Sequence, residues 1–222
     1  MRPRLIFMVG GPDFHPVNAQ AEQIIAWLGP DYACHMADSL AAFEHLSECD
    51  LLVLMGQHWT GFEGRYRSPS EVHRRNFEKY VQSGLPILTV HGAICSFDDW
   101  PRFGELVGFT WTHGVTSHSP LGDYTVEIVR SGHPIVADLD DFTIHDELYY
   151  DVGITPGLDV QVHAEAPWEG KRLPMIFTAR GGRMAGACKT AFLANGHDKQ
   201  TYRCPAMEKL WLNAVRWCLA DQ

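Results

Sequence analysis

The sequence predicts one α/β domain with a mostly parallel central sheet and a β-rich excursion in its second half. Three observations carry this. Apolar runs alternate with amphipathic stretches over residues 4–55, residues 85–93 form an almost unbroken apolar run, and short strand-like segments precede a closing amphipathic helix.

In chain order, residues 4–10 read as a strand, 18–28 as a helix, 32–37 as a strand, 39–46 as a helix and 50–55 as a strand. A longer connection, 56–67, leads into a helix with a start signal: Ser68 at the N-cap, Pro69 at the first helical position and Glu71 as capping partner. Ser83-Gly84 ends it. Residues 85–93 then lose the in-out alternation of a half-exposed strand, as expected when helices cover both faces. The run closes on His91-Gly92-Ala93, at the strand end where open α/β sheets place ligands. Strands are expected at 124–129, 142–146, 160–164, 173–178 and 190–195. A last helix, 205–220, spaces Met207, Leu210, Trp211, Ala214, Val215 and Cys218 at threes and fours. No Pro/Gly/Ser linker divides the chain, so residues 1–222 form a single domain.

Composition narrows the function classes. The 222 residues carry a net charge of -9 and are 45% hydrophobic. A domain of this size buries roughly 70% of its unfolded surface, so a metal is not needed merely to fold it. Phosphate binding needs clustered positive charge. The one basic cluster, Arg65, Arg67, His73, Arg74 and Arg75, is interleaved with Glu63, Glu71 and Glu78 and reads as a solvated face, which argues against nucleic acid and membrane surfaces as partners. The early apolar run is too short for a spanning helix or a signal peptide, so a cytoplasmic location is expected. Six cysteines, at 34, 49, 95, 188, 204 and 218, form no CxxC pair and are expected to be reduced and mostly buried. Cys95, in the turn after His91, is expected to point away from it.

The chain is rich in histidine, with twelve. His15 lies in Gly10-Gly11-Pro12-Asp13-Phe14-His15-Pro16, directly after the first strand; Asp13 and His15 there suit a metal or a sugar hydroxyl. His91 sits at a strand-to-turn corner of the kind that displays a nucleophile or base. Asp146 and Glu147 end a strand beside His145, and adjacent carboxylates supply acid, base or ligand chemistry. Alternation puts them on opposite faces, so one is expected to serve a site while the other holds backbone. His197, in Asn195-Gly196-His197-Asp198, follows the last strand; its bland alternative is a turn residue bonding its own backbone. Among His113, His118 and His133 the sequence favours His118, in a loop with Ser119-Pro120. No GxGxxG fingerprint is present, so no NAD is expected.

Taken in order, Gly-Gly-x-Asp-Phe-His-Pro at 10–16, His91-Gly92-Ala93, His133-Pro134-Ile135, Asp146-Glu147-Leu148-Tyr149, Gly196-His197-Asp198 and the Trp-bearing last helix resemble the ThuA-like family of trehalose utilisation proteins. The resemblance implies a fold similar to class I glutamine amidotransferases, a flavodoxin-like three-layer sandwich. It also implies a role in handling trehalose, other disaccharides or 3-keto-sugar derivatives, with a sugar dehydrogenase as pathway partner. Laid on the amidotransferase pattern, His91 falls where the nucleophilic Cys would stand and Gly196-His197 where its His would be. That departure argues against glutaminase chemistry. Residues 180–188 depart from the family by lacking a Gly-Lys-Gly-Arg turn.

With His91 and His197 facing each other and His15 on the adjacent loop, the expected centre is a divalent metal, Zn, Mn or Co, on three imidazoles. Asp146 and Glu147 are the expected catalytic residues, with Asp146 moving a proton. Asp13, His118, Tyr149 and Trp59 are the expected substrate contacts, although Tyr149 and Trp59 would equally serve as core. Hydrolysis, elimination and isomerisation stay open, as do the sugar's identity and a homo-oligomeric state. Two rivals stand beside this enzyme: a non-catalytic sugar-binding or regulatory module, and a cysteine hydrolase using Cys95.

Overall fold

The computed structural model describes residues 2–129, 132–181 and 189–220. The first half builds strands β1 (Arg4–Val9), β2 (Ala33–Asp38), β3 (Leu51–Leu54) and β4 (Ile87–Val90), with helices α1 (Val17–Leu28), α2 (Ala41–Glu44), α3 (Glu71–Gln82) and α4 (Pro101–Val107). The second half holds β5 (Phe109–Thr110), β6 (Ser117–His118), β7 (Gly122–Ile128), β8 (Phe142–Asp146), β9 (Tyr149–Tyr150), β10 (Gly153–Ile154), β11 (Asp159–Trp168), β12 (Lys171–Arg180), β13 (Thr190–Leu193) and the final helix α5 (Pro205–Leu219). Nine strands make one sheet in the order β2-β1-β3-β4-β13-β12-β11-β7-β8. The first five run parallel, and from β13 onward neighbours are antiparallel. The β-rich excursion is thus a wing that continues the same sheet, with β5 pairing β10 and β6 pairing β9 beside it.

The three layers follow from the two faces of buried strands. On β1, Leu5, Phe7 and Val9 point to the side covered by Ile24 of α1 and by Leu210, Trp211 and Ala214 of α5. Ile6 and Met8 point to the opposite side, against Phe43 of α2, Phe77 and Val81 of α3 and Phe103 of α4. Both sides of β3 and β4 are buried and, Thr89 apart, apolar, which is why these segments show no alternation.

Local chemistry corrects three expectations. Helix α3 starts two residues later than its Ser68-Pro69 signal implies. Ser70 is the N-cap, accepting from the His73 amide while the His73 ring takes the Ser70 N–H, so His73 fills the role assigned to Glu71. The helix expected at 39–46 breaks into α2 and a 3-10 turn, Leu46–Glu48. Helix α4, opened by Pro101 and closed by left-handed Gly108, was masked in the sequence by its single buried stripe of Phe103, Leu106 and Val107. The missing Gly-Lys-Gly-Arg turn falls largely on residues 182–188, outside the described residues, as does Cys188. The five described cysteines are free thiols. Among the described residues no helix is long and apolar enough to cross a membrane.

Candidate functional site

Four chain segments converge at the C-terminal edge of the parallel strands. After β1, Gly10 and Gly11 take φ of 96° and 114°, letting the chain turn back so that His15 lies buried over the sheet edge. After β4, His91 itself takes φ of 44°, a left-handed conformation uncommon for a side-chain-bearing residue and a mark of local strain. After β13 comes Gly196, whose backbone packs so tightly on His91 that a Cβ there would stand 3.0 Å from His91 Cβ. Gly92 has a similar role: a Cβ on it would reach within 3.0 Å of the His15 ring. After β8 come Asp146's neighbour Glu147 and then Tyr149.

Together His15, His118, Glu147, Tyr149, His197 and Trp59 line a cleft of about 340 Å³. His91 lies buried behind these lining residues, 2% exposed, with its ring centroid 4.9 Å from that of His15, 5.6 Å from that of His197 and 4.4 Å from that of Tyr149. Its Nδ1–H donates to the Ala194 carbonyl at 2.7 Å, which places the proton on Nδ1 and leaves a lone pair on Nε2. That Nε2 is buried and has no hydrogen-bond partner. Glu147 Oε2 lies 3.7 Å from it. Ligand atoms of His15, His91 and Glu147 all fall within 4.8 Å of one another. Glu147's other oxygen, Oε1, stands 3.3 Å from His118 Nδ1 and 3.4 Å from His197 Nε2.

Burial sets the charge states. It pulls the His15 imidazole down to about 4, helped by His197, and holds His91 well below its ordinary range. Both rings are therefore neutral at pH 7 and able to coordinate. Burial raises the Glu147 carboxyl, an effect opposed by the neighbouring His197 and His118. Burial also pushes the Cys95 thiol up to about 12.

The two adjacent carboxylates divide sharply. Asp146 is fully buried and its oxygens accept from the amides of Glu147 (2.7 Å), Gly196 (2.8 Å) and His197 (3.3 Å) and from Thr201 Oγ1 (3.0 Å). Desolvation raises its carboxyl to about 7 against the pull of these donors. Asp146 does not line the cleft, so the expectation that it moves a proton gives way to a positioning role: it ties the Gly196-His197 turn to the end of β8. Asp13 also lies outside. Its side chain faces solvent in a two-pronged pair with Arg65, at 3.1 and 3.2 Å. Within the set expected to hold metal, His197 stands beside the trio rather than in it, and Glu147 takes the third place. Cys95 lines the cleft instead of pointing elsewhere. The sequence reading missed Gln57, Trp111 and Phe62 in the lining, and His113, whose ring stacks on Trp59 at 5.3 Å. The Trp59 and Phe62 signal was present, an aromatic-rich, Gly-punctuated loop after a buried strand, but a loop's path is not encoded by period.

A family model described as ThuA, trehalose utilisation, matches residues 16–218. The chain belongs to the ThuA family. Its fold is similar to that of a ThuA-like protein from Parabacteroides merdae, at TM-score 0.78 and 18% identity over 100% of this chain and 91% of that one. A ThuA-like protein from Bacteroides uniformis is similar at TM-score 0.74 and 17% identity, covering 100% and 93%. A glutamine amidotransferase from Thermotoga maritima shares the fold at TM-score 0.53 and 10% identity over the whole of both chains. No curated protein matches the chain. Membership in ThuA thus brings a trehalose-utilisation family and an amidotransferase-like, flavodoxin-like fold.

Proposed function

We propose that this ThuA protein is a metal-assisted acid-base enzyme acting on a disaccharide, a glycoside or its 3-keto derivative. The observation that carries this reading is His91 Nε2, a buried imidazole lone pair without a partner, aimed at His15 and Glu147. Two neutral imidazoles and one carboxylate with room on one side match the ligand set of an open catalytic centre for Zn, Mn or Co. Such a cation supplies polarisation of a carbonyl or a hydroxyl pair. The remaining work falls to the chain's own groups. His197 and His118, both against Glu147 Oε1, carry protons between the ligand and solvent. The Ala194 carbonyl holds the His91 ring, as the outer partner of a ligating histidine does, and Asp146 ties down the backbone of His197. Trp59 with its stacked His113, and Trp111 with Tyr149, offer flat apolar walls to the faces of a sugar ring. A cysteine hydrolase is disfavoured because a thiol held near 12 supplies almost no thiolate at neutral pH.

Elemental analysis of chelator-free protein, with His91→Ala and Glu147→Gln variants, tests the reading. Near one equivalent of metal in the wild type, lost in both variants, is the expected result. It would be followed by turnover of a 3-keto-glycoside that disappears with the metal. A protein that takes up no Zn, Mn or Co in any preparation would sink the proposal.

A further inference from the structure

A ligating imidazole needs a partner for its other nitrogen, because that second bond fixes the tautomer and aims the ring. His91 has one in the Ala194 carbonyl. For His15 the neighbouring polar group is Gln57, just past the end of β3. Its side chain lines the histidine cleft, is nine-tenths buried and leaves Oε1 without a hydrogen-bond partner. A buried amide oxygen costs free energy unless a donor takes it up. Its surroundings narrow which donor that is. A Cβ on Gly92 would stand 3.1 Å from Gln57 Oε1 and 3.1 Å from His15 Nδ1, so the two atoms close on one point over a residue with no side chain to part them. The loops that carry them are locked together. The Gln57 amide donates to the Gly10 carbonyl at 3.3 Å, and a Cβ on Gly11 would lie 2.7 Å from the Gln57 carbonyl oxygen. The two neighbours of the side-chain amide also fix which way it faces. It holds the His15 imidazole up against burial, as an oxygen turned toward the ring does, and draws the Cys95 thiol down, as a donating Nε2 does.

We propose that Gln57 is the outer partner of His15: its Oε1 accepts from Nδ1–H and so presents the His15 Nε2 lone pair to the ion that His91 and Glu147 share. The inference rests on the metal reading of the cleft. Gln57 is then a positioning residue, acting through His15 as the Ala194 carbonyl acts through His91, and both imidazoles ligate through Nε2. Taking the Nδ1 proton into a hydrogen bond also makes Nε2 the better electron-pair donor. The small residue at Gly92 is part of the device, since any side chain there would wedge the amide away from the ring.

Nitrogen NMR of Zn²⁺-loaded protein carrying isotope-labelled histidine reads the tautomers, and a Co²⁺ titration followed by visible absorbance reads affinity. The wild type should show slowly exchanging Nδ1–H signals from both His15 and His91. Gln57→Met, similar in length but without the amide oxygen, should lose the His15 signal, keep that of His91 and bind Co²⁺ about 10- to 100-fold more weakly. Gln57→Glu, whose carboxylate also accepts, should restore signal and affinity, which a packing role alone would not. His15 protonated on Nε2 in the Zn²⁺-loaded wild type would overturn the proposal whether or not any variant folds. So would Gln57→Met binding Co²⁺ like the wild type, or Gln57→Glu binding as weakly as Gln57→Met. Each of these leaves the metal reading standing, whereas a wild type that takes up neither ion overturns both.

Discussion

The two halves of the sheet contribute to the site in different ways. The parallel half delivers imidazoles: His15 after β1, His91 after β4 and His197 after β13 each stand within a few residues of a strand end. The antiparallel wing delivers the carboxylates, from β8 at the far edge of the sheet. Rings placed by strand ends need little further support, because the strands are fixed by burial on both faces. A carboxylate arriving from the opposite edge must be tied in. Asp146 does this by accepting from the Gly196 and His197 amides, so the pair Asp146 and Glu147 divides into a buried stitch and a cleft-facing group.

The sharpest way to break this comparison is to cut the stitch. Asp146→Ala leaves the amides of Glu147, Gly196 and His197 without this acceptor, while the Thr201 hydroxyl keeps the His145 carbonyl, and each buried unsatisfied donor costs about 1–3 kcal/mol. Destabilisation on the order of 3–5 kcal/mol in urea unfolding is expected, with Asp146→Asn milder because one acceptor oxygen survives. A loss below about 1 kcal/mol for Asp146→Ala would mean that the turn is held by other contacts. Gly196→Ala attacks the same junction sterically, since its Cβ would lie 2.9 Å from Val90 Cγ1 and 3.0 Å from His91 Cβ. Overpacking of this kind costs about 1–3 kcal/mol. It should also displace His91 and lower Co²⁺ affinity, whereas Gly29→Ala, where nothing lies within 4 Å, should leave metal uptake unchanged.

A third test asks whether the wing carries its own titration. His163 on β11 is fully buried, stacked on His133 at 4.1 Å and hydrogen-bonded to Thr178 Oγ1 at 2.7 Å. Burial, with His133 beside it, brings its imidazole down to about 4. Its folded value lies below the ordinary 6.5 of an unfolded chain, so between these values the unfolded state binds the extra proton. Stability should therefore fall as pH drops from about 6.5 to 4, and flatten below. His163→Gln should remove on the order of 1–2 kcal/mol of that acid-side loss. Asp146 has the opposite sign: raised to about 7, it holds a proton in the folded state that the unfolded chain releases, so its contribution weakens as pH rises through that range. Unfolding curves from pH 4 to 8 for wild type and His163→Gln check this, and an unchanged acid limb in the variant would count against it.

The same contrast explains what the sequence revealed. The parallel half was legible because strands buried on both faces are continuous apolar runs, and a His immediately after such a run has only one edge to occupy. His15, His91 and His197 were found on that logic. The wing was legible as strands but not as a partner in the site, since antiparallel order and cross-sheet contacts such as Asp146 to Gly196, fifty residues apart, leave no local signal. Alternation did separate Asp146 from Glu147, yet which face was the cleft depended on the sheet's closure. The 56–67 connection was legible only as a loop. Its Gln57, Trp59 and Phe62 became a wall of the cleft through the Phe97 amide's bond to the His58 carbonyl, the His58 amide's bond to Ser96 Oγ and the bond between Thr60 and Asp98, none of which has a periodicity.

Asp13 marks the smallest expected effect and the finest test of that distinction. It shares a loop with His15, and composition treats the two alike. In the fold, however, the turn sends His15 inward and leaves the Asp13 carboxyl in solvent, held below its usual range by the Arg65 guanidinium. An exposed pair of this kind contributes little, because water screens the charges and both side chains lose freedom in meeting. Asp13→Ala should therefore leave the melting temperature, Co²⁺ uptake and sugar binding within the scatter of wild type, and added salt should erase any small residual difference. His15→Ala, two residues on, should abolish metal uptake. If Asp13→Ala also loses metal, the site extends to the outer turn, and strand-end placement alone does not decide which residues of the parallel half belong to the cleft.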